Sequence, residues 1–357
     1  MELSRRQILT TAGAALVLAA CGRDDDASPP TSTSGAAPTP TPAAEGPATT
    51  SRVAGASGTA ATSTAPPGLT FTDDRGEAVS FATTPTRIVA WQTLVPALVE
   101  LGITPVGVIA FNDLATNPGF VDADVATDGL VAVSTTYGEV DIEALAGLRP
   151  DVILTYALGN PILQGFTDET TQELAGQVAP FIALDSSADV ETGIARMEEL
   201  AAFLGADLAA PRVAAATAAF DAAVAELTAL VAARPGLRVA FGGPAEQGLF
   251  VAPVDSYPEL QYYRSLGLDV VDGPEDAVVS WELAPGVDAD VFMIDDRTTP
   301  DELAAFGDVA TWNVIPAVAA GQAVIGWRFL LSYCRADYAR TFERLLQSLR
   351  TADDTVV

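Results

Sequence analysis

The chain has 357 residues, enough for about two average domains, and 49% of them are hydrophobic, so most of it can form a packed core. The 47 acidic residues outnumber the 18 basic ones and give a net charge of −29, which argues against nucleic acid or an anionic membrane surface as partners. Every basic residue is Arg; the absence of His and Lys excludes a Ser-His-Asp triad, a Lys Schiff base and His-ligated zinc or haem iron.

Residues 1–20 have the pattern of an export signal rather than of a folded element. Arg5 and Arg6 precede a short apolar run, as in a twin-arginine-like signal peptide, although the general secretory route remains an alternative. The run is too short to span a bilayer. It ends in Leu18-Ala19-Ala20-Cys21, a lipobox pattern, which predicts that Cys21 is lipidated. The chain is therefore expected to be exported and anchored on the outer face of the cytoplasmic membrane.

The second cysteine, Cys334, then has no partner for an intramolecular disulfide, and we expect it to be a buried free thiol. Beyond the lipidated Cys21, residues 21–67 consist almost entirely of Ala, Pro, Thr, Ser and Gly. Such a segment cannot bury enough apolar surface to offset the entropy of ordering, which predicts a disordered tether.

Residues 68–187 alternate β-rich runs with helical patterns and are predicted to form an N-terminal α/β lobe. The first run, 69–81, is interrupted by Asp73-Asp74-Arg75-Gly76 and indicates a hairpin. A helix is expected over 94–101. Four further strands are predicted at 87–91, 105–111, 151–156 and 181–184.

Residues 188–233 show helical spacing with a break near 205–211 and should contain a bridging helix. Residues 234–350 are predicted to form a C-terminal α/β lobe, followed by a tail, 351–357. Its strands are expected at 238–241, 290–294 and 323–327, and its last helix at about 329–349, with Arg335, Arg340 and Arg344 on the solvated face. The predicted fold class is α/β: two Rossmann-like lobes with mostly parallel sheets, joined by a long helix, with a ligand cleft between them.

One internal repeat links the two lobes. Glu143-x3-Gly147-x3-Asp151-Val152 recurs as Glu282-x3-Gly286-x3-Asp290-Val291. Each Glu is expected in the first turn of a short helix, and each Gly at its left-handed end. The αβ turns of many folds look like this, but two equivalent carboxylates on one outer face could also dock on basic sockets of a two-fold symmetric partner.

Six short stretches follow one another in a characteristic order, at residues 73–76, 85–90, 101–108, 143–154, 280–282 and 312–318. In this order, behind a lipobox, they resemble the class of periplasmic binding proteins that serves iron-siderophore, haem and cobalamin ABC importers. The resemblance covers nearly all of residues 69–350. It implies two Rossmann-like lobes, a rigid bridging helix, and carboxylates at Glu143 and Glu282 that contact arginines of a permease dimer. The zinc and manganese branch of this superfamily uses His ligands, which this chain lacks.

Ligands of doubly wound lobes meet the loops at the carboxyl ends of strands, and this rule selects the candidate cleft residues. Gln92, Phe111 and Asn112 also follow predicted strands. An Arg gives fixed charged donors to the oxygens around iron, and aromatic rings give flat apolar walls. The residues predicted to bind ligand are Trp91, Tyr137, Tyr156, Trp281, Arg297, Trp327 and Arg328.

The leading hypothesis is a lipid-anchored binding protein, not an enzyme, with a monomeric body and no cofactor or protein-bound metal. It would capture a ferric siderophore and deliver it to an ABC permease. A cobalamin or haem carrier of the same family is the alternative, since Tyr could still ligate haem. An exported carboxylate-dependent hydrolase is less favoured because the chain has no Gly-x-Ser-x-Gly motif and no His.

Overall fold

The computed structural model describes residues 68–328 and 332–357, so the predicted signal peptide, Cys21 and the tether lie outside the described residues. The described chain opens with the predicted hairpin, β1 (Leu69–Thr72) and β2 (Ala78–Phe81). Asp73, in its turn, accepts hydrogen bonds from the backbone N–H groups of Arg75 (3.0 Å) and Ala183 (3.0 Å). The hairpin is thereby fixed to the last strand of the first lobe.

The first lobe is built on a five-stranded parallel sheet with the order β5-β4-β3-β6-β7. Its central strand is buried at every residue, as expected for a parallel strand covered on both faces. The strands are β3 (Ile88–Trp91), β4 (Gly107–Ile109), β5 (Val131–Ser134), β6 (Val152–Ala157) and β7 (Phe181–Asp185). The helices are α1 (Val95–Glu100), α2 (Pro118–Asp122), α3 (Ile142–Leu148) and α4 (Glu169–Val178).

The second lobe repeats this strand order as β11-β9-β8-β12-β13, with β10 beside the first residues of β8. In both sheets the first strand of the lobe lies at the centre, and β5 and β11 occupy corresponding edges. The second sheet differs because β9 runs antiparallel to β8 in a hairpin. The strands are β8 (Arg238–Ala245), β9 (Gly248–Val251), β10 (Asp269–Val270), β11 (Val278–Ser280), β12 (Val291–Asp295) and β13 (Ala323–Trp327). The helices are α7 (Pro258–Ser265), α8 (Pro300–Ala305) and α9 (Pro316–Ala319).

Helices α5 (Val190–Phe203) and α6 (Pro211–Ala233) connect the sheets, with the break where the sequence predicted it. Among the described residues, only α6 is long and apolar enough to cross a membrane by length and composition. Its inner face nevertheless packs on the core, where the Phe220 ring lies 6.1 Å from Tyr338 and 5.8 Å from Phe342 of the last helix. The predicted fold class, two α/β lobes joined by helix, is confirmed.

The last helix, α10 (Arg335–Thr351), begins later than predicted and contacts both lobes. The prediction that its arginines form a solvated face is wrong. Arg335 pairs with Glu198 of α5 at 3.1 Å, and Arg340 pairs with Glu100 of α1 at 2.5 Å. Arg344 pairs with Asp122 of α2. The apolar positions of α10 identify its buried face in the sequence, but they cannot show that its polar face contacts another lobe.

The repeat found in the sequence is a structural repeat. The Asp151 carboxylate accepts a hydrogen bond from the Arg87 N–H at 2.8 Å, just before β3, and Asp290 accepts one from the Arg238 N–H at 2.9 Å, at the start of β8. Each Asp, directly before β6 or β12, thus connects that strand to the first strand of its lobe. Cys334 is a buried free thiol, as expected, with its Sγ 3.3 Å from Glu100.

The predicted role of the repeat's glycines is wrong. Gly147 lies inside α3, and the left-handed residue that ends this helix is Arg149, with φ +47°. Replacing Arg149 by Gly should raise the free energy of unfolding by about 0.5–1 kcal/mol, because glycine adopts this conformation without steric cost. Urea denaturation checks this. A loss of stability would mean that the Arg149 side chain contributes more than its backbone costs.

Candidate functional site

A cleft lies between the lobes where strands of both sheets end. Its walls come from the segments after β3 and β4 in the first lobe and after β12 and β13 in the second, which is where the strand-end rule places a ligand. The described lining residues are Gln92, Thr93, Pro96, Phe111, Asn112, Asn117, Pro118, Gly119, Asp295, Asp296, Arg297, Arg328 and Asp337. Arg297 and Arg328, predicted to bind ligand, are therefore both at the cleft.

The first-lobe wall is held in place by side-chain amides. Gln92, buried directly after β3, accepts a hydrogen bond from the Phe111 N–H at 3.0 Å and so links the ends of two neighbouring strands. Asn117 donates to the side chain of Asn112 at 3.2 Å and caps the N-terminus of α2. This wall presents an aromatic ring and amide groups to the cleft, an arrangement that suits a ligand with both apolar and polar surface.

The second-lobe wall carries an ion pair of neighbouring residues. The Arg297 Nε lies 2.9 Å and 3.1 Å from the two carboxylate oxygens of Asp295. The Asp295 carboxylate also accepts the Arg297 backbone N–H at 2.9 Å. Burial opposes the charge of Arg297, but the adjacent Asp295 raises its pKa above the ordinary value. The guanidinium is oriented by its own turn and remains about one-third exposed.

Arg328 forms the floor of the cleft and joins three parts of the fold. Its guanidinium pairs with Asp122 of α2 at 2.8 Å, Asp296 after β12 at 2.6 Å and Asp337 of α10 at 3.1 Å. Burial raises the pKa of Asp296 to about 6, although Arg328 opposes this shift. Burial also acts on Asp122, but Arg344 and Arg328 hold its pKa below the ordinary value. We call Arg328 and its three carboxylates the floor cluster.

Three of the predicted aromatic residues lie in the core rather than on the cleft surface. Trp91, Tyr156 and Trp327 are at most 2% exposed. Trp91 is the last residue of β3, and its ring packs 5.7 Å from Phe111. Trp327 ends β13 and lies 5.3 Å from Tyr257. The rule of strand ends selected the right edge of each sheet, but the last residue of a strand still points into the layer beneath it.

Tyr137 and Trp281 are half-buried and do not line the cleft. The Tyr137 ring meets Trp91 edge-on at 5.8 Å, and burial raises the pKa of its phenol. The Trp281 indole donates to the Glu246 carbonyl at 3.3 Å. Any contact of these two residues with a ligand stays a prediction.

The two repeat carboxylates, Glu143 and Glu282, are both exposed and occupy matching places. Each follows the edge strand of its sheet, β5 or β11, and precedes the repeat's Asp, which lies directly before β6 or β12. Glu143 lies in the first turn of α3, whereas Glu282 lies in a turn before a short 3₁₀ segment, so the predicted second helix is reduced to a single 3₁₀ turn.

Sequence reasoning missed the carboxylates of the floor cluster. Asp122 and Arg328 are more than 200 residues apart in the chain, and the sequence pattern carries no signal that pairs them. Asp295 and Asp296, in contrast, directly follow a predicted strand and could have been found by the rule that found Arg297.

The cleft cavity measures about 60 Å³, whereas ligand pockets usually measure roughly 300–1,000 Å³, so a bulky ligand requires the side chains and loops that line the cleft to move apart. A larger cavity of about 390 Å³ lies between α6 and α10. It is lined mainly by alanine and by residues already in ion pairs, away from the strand ends. The cleft is the better candidate because polar groups of both lobes converge on it.

Residues 92–327 match the family model described as periplasmic binding protein, and the chain belongs to this family. The family consists of extracytoplasmic binding proteins and not of enzymes. No curated protein matches the chain.

Several solved structures share the fold. DesE, a ferric-siderophore receptor protein from Streptomyces coelicolor, is 28% identical with a TM-score of 0.71, covering 80% of this chain and 99% of DesE. The iron uptake ABC transporter substrate-binding protein PiuA from Streptococcus pneumoniae is 17% identical, with a TM-score of 0.59 and coverage of 79% and 99%. The triscatecholate siderophore binding protein FeuA from Bacillus subtilis is 16% identical, with a TM-score of 0.59 and coverage of 77% and 96%. The last two likenesses show the fold alone.

Proposed function

We propose that this chain captures a ferric siderophore in the interlobe cleft and delivers it to an ABC importer. The observation that carries the proposal is the likeness to DesE over nearly all of that protein. The cleft supports it chemically, since Phe111, backbone turns and two arginines meet there at the ends of the strands.

We further propose that Cys21 is lipidated after removal of residues 1–20 and that the 21–67 segment tethers the body to the outer face of the cytoplasmic membrane. The lipobox and the tether composition support this. Replacing Cys21 by Ser should move the protein from the membrane fraction to the soluble extracytoplasmic fraction. Retention in the membrane would contradict lipid anchoring.

Binding can be measured through the indoles beside the cleft. Trp327 packs against Tyr257 in the second lobe, and Trp91 packs against Phe111 in the first. We expect ferric trihydroxamate to quench tryptophan fluorescence in a saturable manner, and the iron-free chelator to bind more weakly, because only the metal fixes a compact chelate. Trp327→Phe should reduce the amplitude of this quenching more than Trp312→Phe does, because the Trp312 indole lies in a separate core of the second lobe.

The same titration separates this function from the alternatives. Ferric triscatecholate, ferric citrate, haemin and cobalamin are titrated in parallel with the ferric trihydroxamate. A response to haemin or cobalamin without a response to ferric chelates would identify a different carrier of the same family. No response to any of them would overturn the proposed function.

A further inference from the structure

The arginines of the cleft are already compensated by carboxylates. Arg297 is paired with Asp295, and Arg328 is paired with Asp122, Asp296 and Asp337. Arg344, behind Arg328, also contacts Asp122 and lies 3.8 Å from Asp296.

The balance of charge around the described cleft is slightly negative. Three guanidiniums, those of Arg297, Arg328 and Arg344, face four carboxylates. Arg340 lies 3.5 Å from Asp337 and is also paired with Glu100. Counting both Arg340 and Glu100 adds one positive and one negative charge, so the excess of one carboxylate is unchanged. The chain as a whole carries a net charge of −29, so its long-range field adds to the local excess of negative charge.

An anionic chelate would meet unfavourable electrostatics in such a cleft. A guanidinium that is already paired with a carboxylate offers little net positive potential to a ligand. Separating the pair would leave a partly buried carboxylate without its counter-ion. A chelate without net charge incurs no such cost, and a cationic one is favoured by the excess carboxylate.

Resting on the proposed function, we propose that the cleft selects ferric chelates of zero or positive net charge, the trihydroxamate type, over the triply negative triscatecholate type. Arg297 and Arg328 then act as oriented hydrogen-bond donors whose charge is balanced within the protein. The aromatic wall at Phe111 supplies the apolar contact.

A series of chelates with one iron-binding core tests the charge preference directly. Ferric desferrioxamine B carries a pendant ammonium and one positive charge, its N-acetyl derivative is neutral, and its N-succinyl derivative is singly negative. We expect affinity to fall roughly fivefold or more from the positive to the negative member at low salt, and the difference to shrink as salt screens it. Ferric triscatecholate should bind most weakly.

Asp295→Asn provides the matching variant. Asparagine keeps the oxygen that accepts the Arg297 backbone N–H but removes the charge that compensates the guanidinium. Affinity for the negative chelate should rise severalfold and that for the positive chelate should fall. Asp288→Asn is the control, since it removes the same charge from an exposed pair with Arg238 at the opposite ends of the strands.

The outcomes separate the two proposals. If ferric triscatecholate binds as tightly as the neutral trihydroxamate, the protein remains a siderophore binder and the charge preference is overturned. Equal affinities across the desferrioxamine series also overturn it. If no ferric chelate binds, the proposed function fails and the charge preference fails with it.

Discussion

Replacing Arg328 by Met should lower the free energy of unfolding by about 3–5 kcal/mol, because three carboxylates around a residue that is only 8% exposed lose their common partner. Methionine keeps most of the side-chain volume, so the loss reports charge rather than a cavity. Equilibrium denaturation in guanidinium chloride or urea measures it.

The pH dependence identifies the cause. In the variant, Asp296 loses Arg328, the cation whose charge opposes the effect of burial, so the pKa of Asp296 rises further above its unfolded value. A carboxyl group of this kind destabilises the fold at high pH, and the penalty is relieved as pH falls through the folded pKa. The stability deficit should therefore shrink between pH 8 and pH 5. In the wild type the pKa of Asp296 is already raised to about 6.

Two further variants act as controls for the floor cluster. Arg328→Met combined with Asp337→Asn should recover part of the stability, because one of the carboxylates that lost Arg328 is gone while the hydrogen bond from Ser332 can remain. Arg264→Met breaks a pair with Asp272 that is about half exposed and should change stability little. A deficit that is equal at all pH values and unaffected by Asp337→Asn would show that packing, not charge, explains the effect.

Replacing Glu143 and Glu282 together by Ala should abolish import of the ferric chelate while leaving its affinity for the purified protein unchanged. Both side chains are exposed at matching places in the two lobes, and neither lines the cleft. Two carboxylates on a two-lobed body can engage two equivalent basic sockets of a permease, so each single variant should retain part of the import. Uptake of the radiolabelled chelate by cells and fluorescence titration of the protein measure the two quantities.

Glu77 and Glu275 offer a matched pair of control substitutions. Both are exposed acids, one in the β1–β2 hairpin and one in the loop before β11, so the double Ala variant has the same net charge as the docking variant. Import should be normal in this control. Loss of affinity in the Glu143 and Glu282 variant, or equal loss of import in both, would contradict docking at these carboxylates.

The sequence predicted the fold well because βα units carry strong local signals. Strand β3 is apolar throughout and β12 is apolar up to its last residue, while Asp141 and Asp189 cap α3 and α5. It missed β5, β9, β10 and β11, each of four residues or fewer, and β9 and β11 also pair antiparallel towards one edge of the second sheet. Their pairing depends on contacts across the sheet that no local pattern shows.

The sequence predicted which edge of each sheet forms the candidate site, but not which side chains line it. The positions after the strands, Gln92, Asn112 and Arg297, do line the cleft, whereas Trp91 and Trp327 lie one residue earlier and point inward. A one-residue difference at a strand end changes which face a side chain occupies. Of the partners of Arg328, Asp122 lies more than 200 residues away in the chain and could be found only from the folded chain.

Helix α10 contacts α1 and α2 of the first lobe, α6, and β13 of the second lobe, and so is packed against both lobes at once. A wide swing of one lobe would have to slide this helix out of its packing, so the spacing between the outer corners at Glu143 and Glu282 should stay nearly constant whatever the cleft holds. A transporter that binds both carboxylates would then meet the same distance between them in a loaded and in an empty binding protein. It would have to sense cargo at the mouth of the cleft itself, and empty carriers would compete with loaded ones for every docking event.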